Sequence, residues 1–129
     1  MPNPQHLKVM VVDDTSVSRM LLSDGLNQIG ITNVTLAGDG EQALKAMMVS
    51  PCHIVLSDFN MPKLDGLQLL RALREYAPTR QVGFILVTGR GDKSLIEEGR
   101  KFGLNNYLPK PFTVPALKAC IEAVAGKLA

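Results

Sequence analysis

The sequence is poor in cysteine. Its two cysteines, Cys52 and Cys120, lie far apart in the chain, and neither belongs to a Cys-x-x-Cys pair. This spacing argues against a disulfide framework and against a cysteine zinc site of the usual kind. We therefore expect both side chains to be buried thiols, as is usual in a reducing cytosol.

Long hydrophobic runs are also missing. No stretch approaches the roughly 18 consecutive apolar residues that a membrane-spanning helix needs. Residues 2–6 are polar or proline, and they lack the charged and apolar regions of a secretory signal peptide. We expect a cytoplasmic protein that has no contact with the membrane.

An excess of charge of one sign is nearly absent, since 14 basic residues face 12 acidic ones and leave a net charge of +2. So even a balance gives no support for nucleic acid or an anionic membrane as a partner. With 129 residues, of which 46% are hydrophobic, the chain has the size and composition of one globular domain. We predict a flexible tail over residues 1–6, a single domain over residues 7–129 and a monomeric protein.

What the sequence does contain is a regular alternation of short apolar runs and longer amphipathic segments. The first run, Lys8-Val9-Met10-Val11-Val12, is almost continuously hydrophobic, which is typical of a strand covered on both faces. Four further runs have strand length and are bounded by turn residues. The predicted strands are residues 8–12, 34–37, 53–57, 83–87 and 106–108.

Helix-start signals lie between these runs. Asp65 is followed three positions later by Gln68, which is the spacing of a capping box, and Asp39 is followed by a glutamine in the same way. The predicted N-cap residues are Thr15, Asp39, Asp65, Asp92 and Thr113. Five strands alternating with five helices predict an α/β fold, a doubly wound parallel sheet with helices on both faces.

Polar side chains follow the strands at the carboxyl edge of the sheet, where folds of this class bind their ligands. Asp13 and Asp14 follow the first strand, and Asp58 ends the third. Thr88 ends the fourth strand, and Lys110 ends the fifth. Three carboxylates at one edge repel one another unless a cation neutralises them. Mg²⁺ suits such a site, because it takes a few carboxylate oxygens, keeps several waters and also binds phosphate.

The chemistry of this set is that of a phosphate acceptor. Beside a divalent cation, Asp58 can attack a phosphoryl group and hold it as an acyl phosphate. Lys110 can neutralise the phosphoryl oxygens, and the Thr88 hydroxyl can donate a hydrogen bond to one of them. Taken singly, each residue would be an ordinary turn or cap residue, so it is their joint placement on one edge that favours the functional interpretation.

Four short motifs follow one another along the chain. They are Asp13-Asp14, Asp58-Phe59-Asn60-Met61-Pro62 with Asp65-Gly66, Thr88-Gly89, and Tyr107-Leu108-Pro109-Lys110-Pro111-Phe112. In order and spacing they resemble the signatures of the receiver domains of bacterial response regulators, most closely those of single-domain chemotaxis regulators. The resemblance covers nearly the whole chain. Gly89 departs from it, because alanine is frequent at that position.

The resemblance implies a flavodoxin-like sheet with strand order 2-1-3-4-5. It implies that Asp58 is phosphorylated by a sensor histidine kinase, of the chemotaxis type, and that the protein catalyses only its own phosphorylation and dephosphorylation. In that sense it would not be an enzyme. The implied ligands of Mg²⁺ are Asp13, Asp14, Asp58 and the backbone carbonyl of Asn60.

The resemblance also implies how the signal leaves the site. Thr88 and Tyr107 would carry it to the surface of the fourth helix, fifth strand and fifth helix, where a flagellar motor switch protein or another protein target would bind. From their positions two residues after Asp58 and Thr88, we expect Asn60 and Arg90 to border the water that hydrolyses the acyl phosphate. Asn60 would orient that water, whereas Arg90 could either obstruct it or stabilise charge on the phosphoryl oxygens, and we favour obstruction.

Functions of other classes share parts of this pattern. A flavodoxin-like flavin binder would use the same sheet, but Asp13 and Asp14 would repel the phosphate of FMN. A Mg²⁺-dependent phosphohydrolase with an aspartyl nucleophile would need a substrate pocket and usually a cap domain, for which the chain leaves little room. Within the family, a phosphorelay intermediate or a phosphate sink without motor binding is an open alternative.

Overall fold

The computed structural model describes residues 3–89 and 93–128, and within these ranges strand and helix alternate as predicted. Each predicted strand is correct to within one residue at either end. The strands are β1 (Lys8–Val12), β2 (Asn33–Ala37), β3 (Ile54–Asp58), β4 (Gly83–Thr88) and β5 (Asn106–Pro109). The helices are α1 (Ser16–Gln28), α2 (Gly40–Val49), α3 (Gly66–Glu75), α4 (Lys93–Lys101) and α5 (Val114–Ala125).

The five strands form one parallel sheet in the order β2-β1-β3-β4-β5, which confirms the predicted doubly wound, flavodoxin-like arrangement. At the carboxyl edge Val12 lies opposite both Ala37 and Ser57 in the two neighbouring strands. On the other side of the sheet Thr88 lies opposite Pro109. Because these ends are level, the residues that follow the strands meet at one edge of the sheet.

The core consists of two apolar layers, one on each face of the sheet. Successive residues of β1 point to opposite faces, so Val9 and Val11 join the layer that contains the buried residues of α1 and α5. Met10 and Val12 join the layer with α2 and α3. All four are at most 1% exposed, which confirms that the near-continuous apolar run of β1 marks a strand covered on both faces.

Two of the predicted helix caps have the expected geometry. Asp65 accepts a hydrogen bond from the Gln68 amide, and the Gln68 side chain accepts one from the Asp65 amide, which completes the capping box of α3. The Thr113 hydroxyl accepts a hydrogen bond from the Ala116 amide at 3.2 Å and so caps α5. The cap expected at Asp92 lies outside the described residues.

Two other caps differ from the prediction. Asp39 accepts a hydrogen bond from the Gln42 amide at 2.8 Å, but the Gln42 side chain accepts from Gly38 instead of closing the box on Asp39. Thr15 occupies the N-cap position of α1 without making a side-chain cap bond. Its hydroxyl instead donates a hydrogen bond to the carboxylate of Asp13, because that acceptor lies within 2.9 Å.

Two expectations concern the N-terminal tail and a membrane span. Residues 4–6, expected to belong to a flexible tail, form a 3-10 turn in which the Asn3 side chain accepts a hydrogen bond from the Gln5 amide. The mobility of this segment and the domain boundary at residue 7 stay predictions. Within residues 3–89 and 93–128, no helix combines the length and the apolarity needed to cross a membrane.

The two cysteines are free thiols, as predicted. Cys52 is buried, whereas Cys120 is only half-buried, because it lies on α5 at the margin of the apolar layer. The Cys120 thiol donates a hydrogen bond to the backbone carbonyl of Tyr107 at 3.1 Å. Burial raises the pKa of both thiols, which keeps them protonated and less reactive at neutral pH.

Candidate functional site

Three carboxylates meet at the carboxyl edge of the sheet, as predicted. Asp13 directly follows β1, Asp14 follows it, and Asp58 is the last residue of the adjacent strand β3. Each offers a carboxylate oxygen, and these three oxygens lie within 4.8 Å of one another. Asp13 is buried, Asp58 is half-buried and Asp14 is exposed, so the cluster forms a pocket that opens to solvent on one side.

Both the side chain and the backbone of Asp13 are hydrogen-bonded. One carboxylate oxygen, Oδ1, accepts hydrogen bonds from the Thr15 amide at 3.0 Å and the Thr15 hydroxyl at 2.9 Å. The other, Oδ2, accepts one from the Lys110 ammonium at 3.0 Å. The Asp13 amide donates to the Ala37 carbonyl, and the Asp13 carbonyl accepts from the Arg19 guanidinium. These partners replace the water that a carboxylate only 1% exposed cannot reach.

Asp58 lies in a less favourable environment. Its Oδ1 accepts a hydrogen bond from the Phe59 amide at 2.9 Å and lies 3.8 Å from the Lys110 ammonium. Desolvation raises the pKa of Asp58 above its usual value, the charge of Lys110 opposes the rise, and the charges of Asp13 and Asp14 add to it. The residues therefore fit a bound cation, because the ionised Asp58 is incompletely compensated by the protein alone.

Lys110 reaches the acidic pocket from the end of β5. Its backbone amide donates a hydrogen bond to the Thr88 carbonyl at 2.7 Å, which fixes the start of the loop against β4. The Lys110–Pro111 peptide bond is cis. The ammonium lies between the carboxylates of Asp13 and Asp58, so the structure places this lysine in the pocket and not in solvent.

Thr88 and Tyr107, the predicted switch residues, both lie beside the site. Thr88 is buried at the end of β4 and lines a cleft with Asn60, Leu95 and Glu98, between the acidic pocket and α4. Tyr107 is half-buried in β5 and packs against the same apolar layer as α2 and α3. Thr88 ends β4, the strand next to that of Asp58, and Tyr107 lies one strand farther away, opposite Leu86.

The loop after β3 carries Asn60, which is exposed and lines the cleft beside Thr88. The Gly66 amide donates a hydrogen bond to the Phe59 carbonyl and closes this loop. A Cβ atom at residue 66 would lie 2.6 Å from the Asp58 carbonyl oxygen, so only glycine allows α3 to begin so close to the acceptor strand. Arg90, expected to act with Asn60, lies outside the described residues.

The contacts that Thr15 and Arg19 make with Asp13 were missed by the sequence analysis, which assigned Thr15 to a helix cap. A usable signal was present, because an aspartate side chain often accepts hydrogen bonds from the backbone amide two residues later. Arg19 gave no such signal. Its contact with the Asp13 carbonyl depends on how α1 packs against the sheet.

Comparison with known proteins now decides the family. Residues 9–122 match the family of the response regulator receiver domain. The chain belongs to this family. Receiver domains are signalling proteins that bind Mg²⁺ at an acidic pocket, accept phosphate from histidine kinases and bind other protein targets. In this chain Asp13, Asp14 and Asp58 form an acidic cluster whose carboxylate oxygens lie close enough together to hold a metal ion.

Several relatives match over almost their whole length. A probable chemotaxis protein CheY of Rhizobium etli is 49% identical over 124 residues, covering 96% of each chain. The crystal structure of the chemotaxis protein CheY4 of Vibrio cholerae has a TM-score of 0.86 at 28% identity, covering 92% of this chain and 98% of that one. The receiver domain of the sensor histidine kinase PA1611 of Pseudomonas aeruginosa has a TM-score of 0.84 at 28% identity, with 94% and 98% covered. Its structure holds a magnesium ion in the active site cleft.

Proposed function

We propose that this chain is a single-domain response regulator of a two-component phosphorelay and that Asp58 accepts the phosphoryl group. The observation that carries the proposal is the position of Asp58, which shares one pocket with Asp13 and Asp14 and lies 3.8 Å from the Lys110 ammonium. A carboxylate nucleophile, a cation pocket and a fixed positive charge are the parts that phosphoryl transfer to an aspartate requires.

In the proposed transfer, a carboxylate oxygen of Asp58 attacks the phosphorus of a phosphohistidine on a sensor kinase. The bond between phosphorus and the imidazole nitrogen breaks, its electron pair stays on the nitrogen, and Asp58 becomes an acyl phosphate. Lys110 neutralises a phosphoryl oxygen, and the Thr88 hydroxyl donates a hydrogen bond to another.

The proposed ligands of Mg²⁺ are the carboxylates of Asp13, Asp14 and Asp58 and the backbone carbonyl of Asn60. When bound, the ion neutralises charge on the phosphoryl oxygens. The donor set suits it, because the ligands are all oxygen and leave room for water and phosphate. The PA1611 receiver domain has the same fold and holds a magnesium ion in its active site cleft, which supports this assignment.

The output of the proposed switch is a change at the surface of α4, β5 and α5. Thr88 would move toward the phosphoryl group, and Tyr107 would turn into the space that it vacates. This surface carries exposed basic side chains, which favour an acidic or amphipathic partner helix. They are Lys93, Arg100, Lys101 and Lys118.

We assign the output to chemotaxis, with a kinase of the chemotaxis type as donor and a flagellar motor switch protein as the favoured target. The support is the likeness to relatives that are named as chemotaxis proteins. We further propose a cytoplasmic monomer that catalyses only its own phosphorylation and dephosphorylation. A relay intermediate or phosphate sink would keep the same site and lack the motor target, and a phosphohydrolase would release phosphate from ester substrates repeatedly.

The decisive experiment exposes the purified protein to acetyl phosphate, with and without Mg²⁺, and measures the phosphate bound per chain by mass spectrometry. We expect at most one base-labile phosphate per chain, and only with the metal. Asp58→Asn should take up none, whereas Asp24→Asn, which removes an exposed carboxylate from α1, should behave as the wild type. Equal labelling of Asp58→Asn would refute the proposal, and continued turnover of phosphate esters would favour the phosphohydrolase.

A further inference from the structure

We infer that Thr15 is a positioning residue for the metal pocket, which it serves by fixing the orientation of the Asp13 carboxylate. This inference rests on the proposed function, because it concerns the same pocket. It assigns a role to a side chain that is neither a ligand nor a phosphoryl contact. The relevant geometry is the pair of hydrogen bonds that join Thr15 to Asp13 Oδ1.

These two bonds distinguish the oxygens of Asp13. Oδ1 accepts from both the amide and the hydroxyl of Thr15 and is directed toward the start of α1. Oδ2 faces the interior of the pocket, where it accepts a hydrogen bond from the Lys110 ammonium at 3.0 Å. A half-turn about the Cβ–Cγ bond of Asp13 only exchanges two equivalent oxygens, but any smaller rotation breaks both contacts with Thr15. Thr15 therefore fixes the plane of the carboxylate, and with it the direction in which the second oxygen faces the pocket.

The hydroxyl of Thr15 bonds to the carboxylate of Asp13 and not to the first turn of its own helix. A threonine at an N-cap position normally accepts a hydrogen bond from an amide in the first turn of its helix. Thr15 makes no such bond, although its backbone has the extended conformation of an N-cap. The same oxygen donates its proton to Asp13 over 2.9 Å. The start of α1 thus lacks the usual side-chain cap, and the carboxylate gains a donor.

The backbone of Asp13 is held as firmly as its side chain. The Arg19 guanidinium donates to the Asp13 carbonyl at 2.7 Å, while the Asp13 amide donates to Ala37 in β2. The Arg19 amide also donates to the Thr15 carbonyl, which ties the three residues into one unit. Asp13 is 1% exposed, whereas Asp14 is exposed. Asp13 is therefore the fixed carboxylate of the cluster, and Thr15 provides the only one of these restraints that acts on Oδ1.

The test uses three variants of the full chain and measures Mg²⁺ affinity by calorimetric titration, with the thermal unfolding midpoint of the metal-free protein as a second readout. Thr15→Val keeps the shape and the backbone amide and deletes the hydroxyl. Thr15→Ser restores it. Thr32→Val makes the same chemical change at an exposed position before β2, at the opposite edge of the sheet.

We expect Thr15→Val to weaken Mg²⁺ binding roughly 10-fold, since partners that orient metal ligands commonly contribute about 10–100-fold to affinity. Thr15→Ser should bind within about threefold of the wild type, and Thr32→Val should be unchanged. A lower unfolding midpoint of Thr15→Val with unchanged Mg²⁺ affinity would show a structural role only and overturn the inference. Serine failing to restore affinity would overturn it as well. If the wild type bound no Mg²⁺, the proposed function itself would fall.

Discussion

The Lys110 ammonium lies 3.0 Å from the carboxylate of Asp13 and 3.8 Å from that of Asp58, between the two. It is thus the internal counter-ion of a pocket whose residues also fit a divalent cation. Two cations that neutralise the same carboxylates compete through their mutual repulsion. The lysine should therefore affect metal binding and phosphoryl transfer in opposite directions.

Replacing Lys110 with methionine tests this competition. We expect Lys110→Met to bind Mg²⁺ about 10-fold more tightly, because removal of one positive charge near the ion favours it by about 1.4 kcal/mol. Phosphate uptake from acetyl phosphate should nevertheless slow, because the phosphoryl oxygens lose a cation. Calorimetric titration and the initial rate of labelling measure the two effects. Lys127→Met, an exposed position near the end of the described chain, is the matched control. Weaker Mg²⁺ binding by Lys110→Met would contradict the competition.

A second prediction concerns the pH dependence of stability in the metal-free protein. The pKa of Asp58 is raised in the fold, so the folded state holds this proton more tightly than the unfolded state does. Ionised Asp58 therefore destabilises the fold, and the loss develops as the pH rises from the unfolded pKa, 3.8, through the folded pKa. We expect Asp58→Asn to raise the free energy of unfolding at neutral pH and to lose this advantage in acid.

Urea unfolding at several pH values, without metal, measures this difference. Asp24→Asn serves as the control for the loss of a carboxylate in an exposed position. Saturating Mg²⁺ should reverse the order, because an ion that binds only the folded state stabilises the wild type by an amount that grows with the logarithm of its concentration relative to Kd. A wild type that is more stable than Asp58→Asn at neutral pH without metal would show that Lys110 overcompensates the desolvation of Asp58.

A third prediction compares two glycines at the site. A Cβ atom on Gly66 would lie 2.6 Å from the Asp58 carbonyl oxygen and 2.9 Å from Leu86, whereas one on Gly89 would meet nothing within 4 Å. We expect Gly66→Ala to cost about 1–3 kcal/mol of unfolding free energy, as overpacking usually does. It should also slow labelling of Asp58, because the contact is with the acceptor's own backbone. Gly89→Ala should change stability by less than about 0.5 kcal/mol. Equal stability of the two variants would contradict the close packing.

The sequence predicts most of this fold because its strands are buried on both faces. A short valine-rich run such as that of β1 is typical of a strand covered on both faces, and the edge where Asp13 and Asp58 meet then follows from the topology. The spacing of Asp13 and Thr15 carries a signal for the bond from the Thr15 amide, but the sequence does not show whether the Thr15 hydroxyl caps α1 or binds the carboxylate. As a cap the Thr15 hydroxyl would accept a hydrogen bond, whereas in the fold it donates one to Asp13, and which of these forms depends on how α1 meets the sheet.

The surroundings of two other side chains were also hard to predict. Cys120 belongs to an apolar stripe of α5, and the stripe gives its direction correctly without showing that this side chain lies at the margin of the layer. Gln42 has the spacing of a capping box, but its side chain can reach either of two neighbouring amides and in the fold accepts from Gly38. In each case the pattern names the right helix, and the packing of the helix decides the contact.

The last prediction concerns the lifetime of the acyl phosphate on Asp58. Hydrolysis needs a water in line with the bond between phosphorus and the carboxylate oxygen. The exposed Asn60 borders the cleft through which such a water would approach, with Thr88 and Glu98 as its other walls. An amide there can hold the water in position by hydrogen bonding, as a glutamine does in other phosphoryl-hydrolysing sites. We expect Asn60→Ala to lengthen the phosphoryl half-life several-fold.

Arg90 should act in the opposite direction, because its long side chain would obstruct the same water while Mg²⁺ and Lys110 already neutralise the phosphoryl oxygens. Arg90→Ala should therefore shorten the half-life. The measurement follows the loss of label from the isolated phosphoprotein after the donor has been removed, at fixed Mg²⁺. Arg80→Ala, which removes an exposed arginine at the opposite edge of the sheet, controls for the loss of charge. A longer half-life in Arg90→Ala would mean that the arginine assists hydrolysis by stabilising charge on the phosphoryl group. If only Asn60→Ala had a longer half-life, the amide would remain as the residue that positions the water.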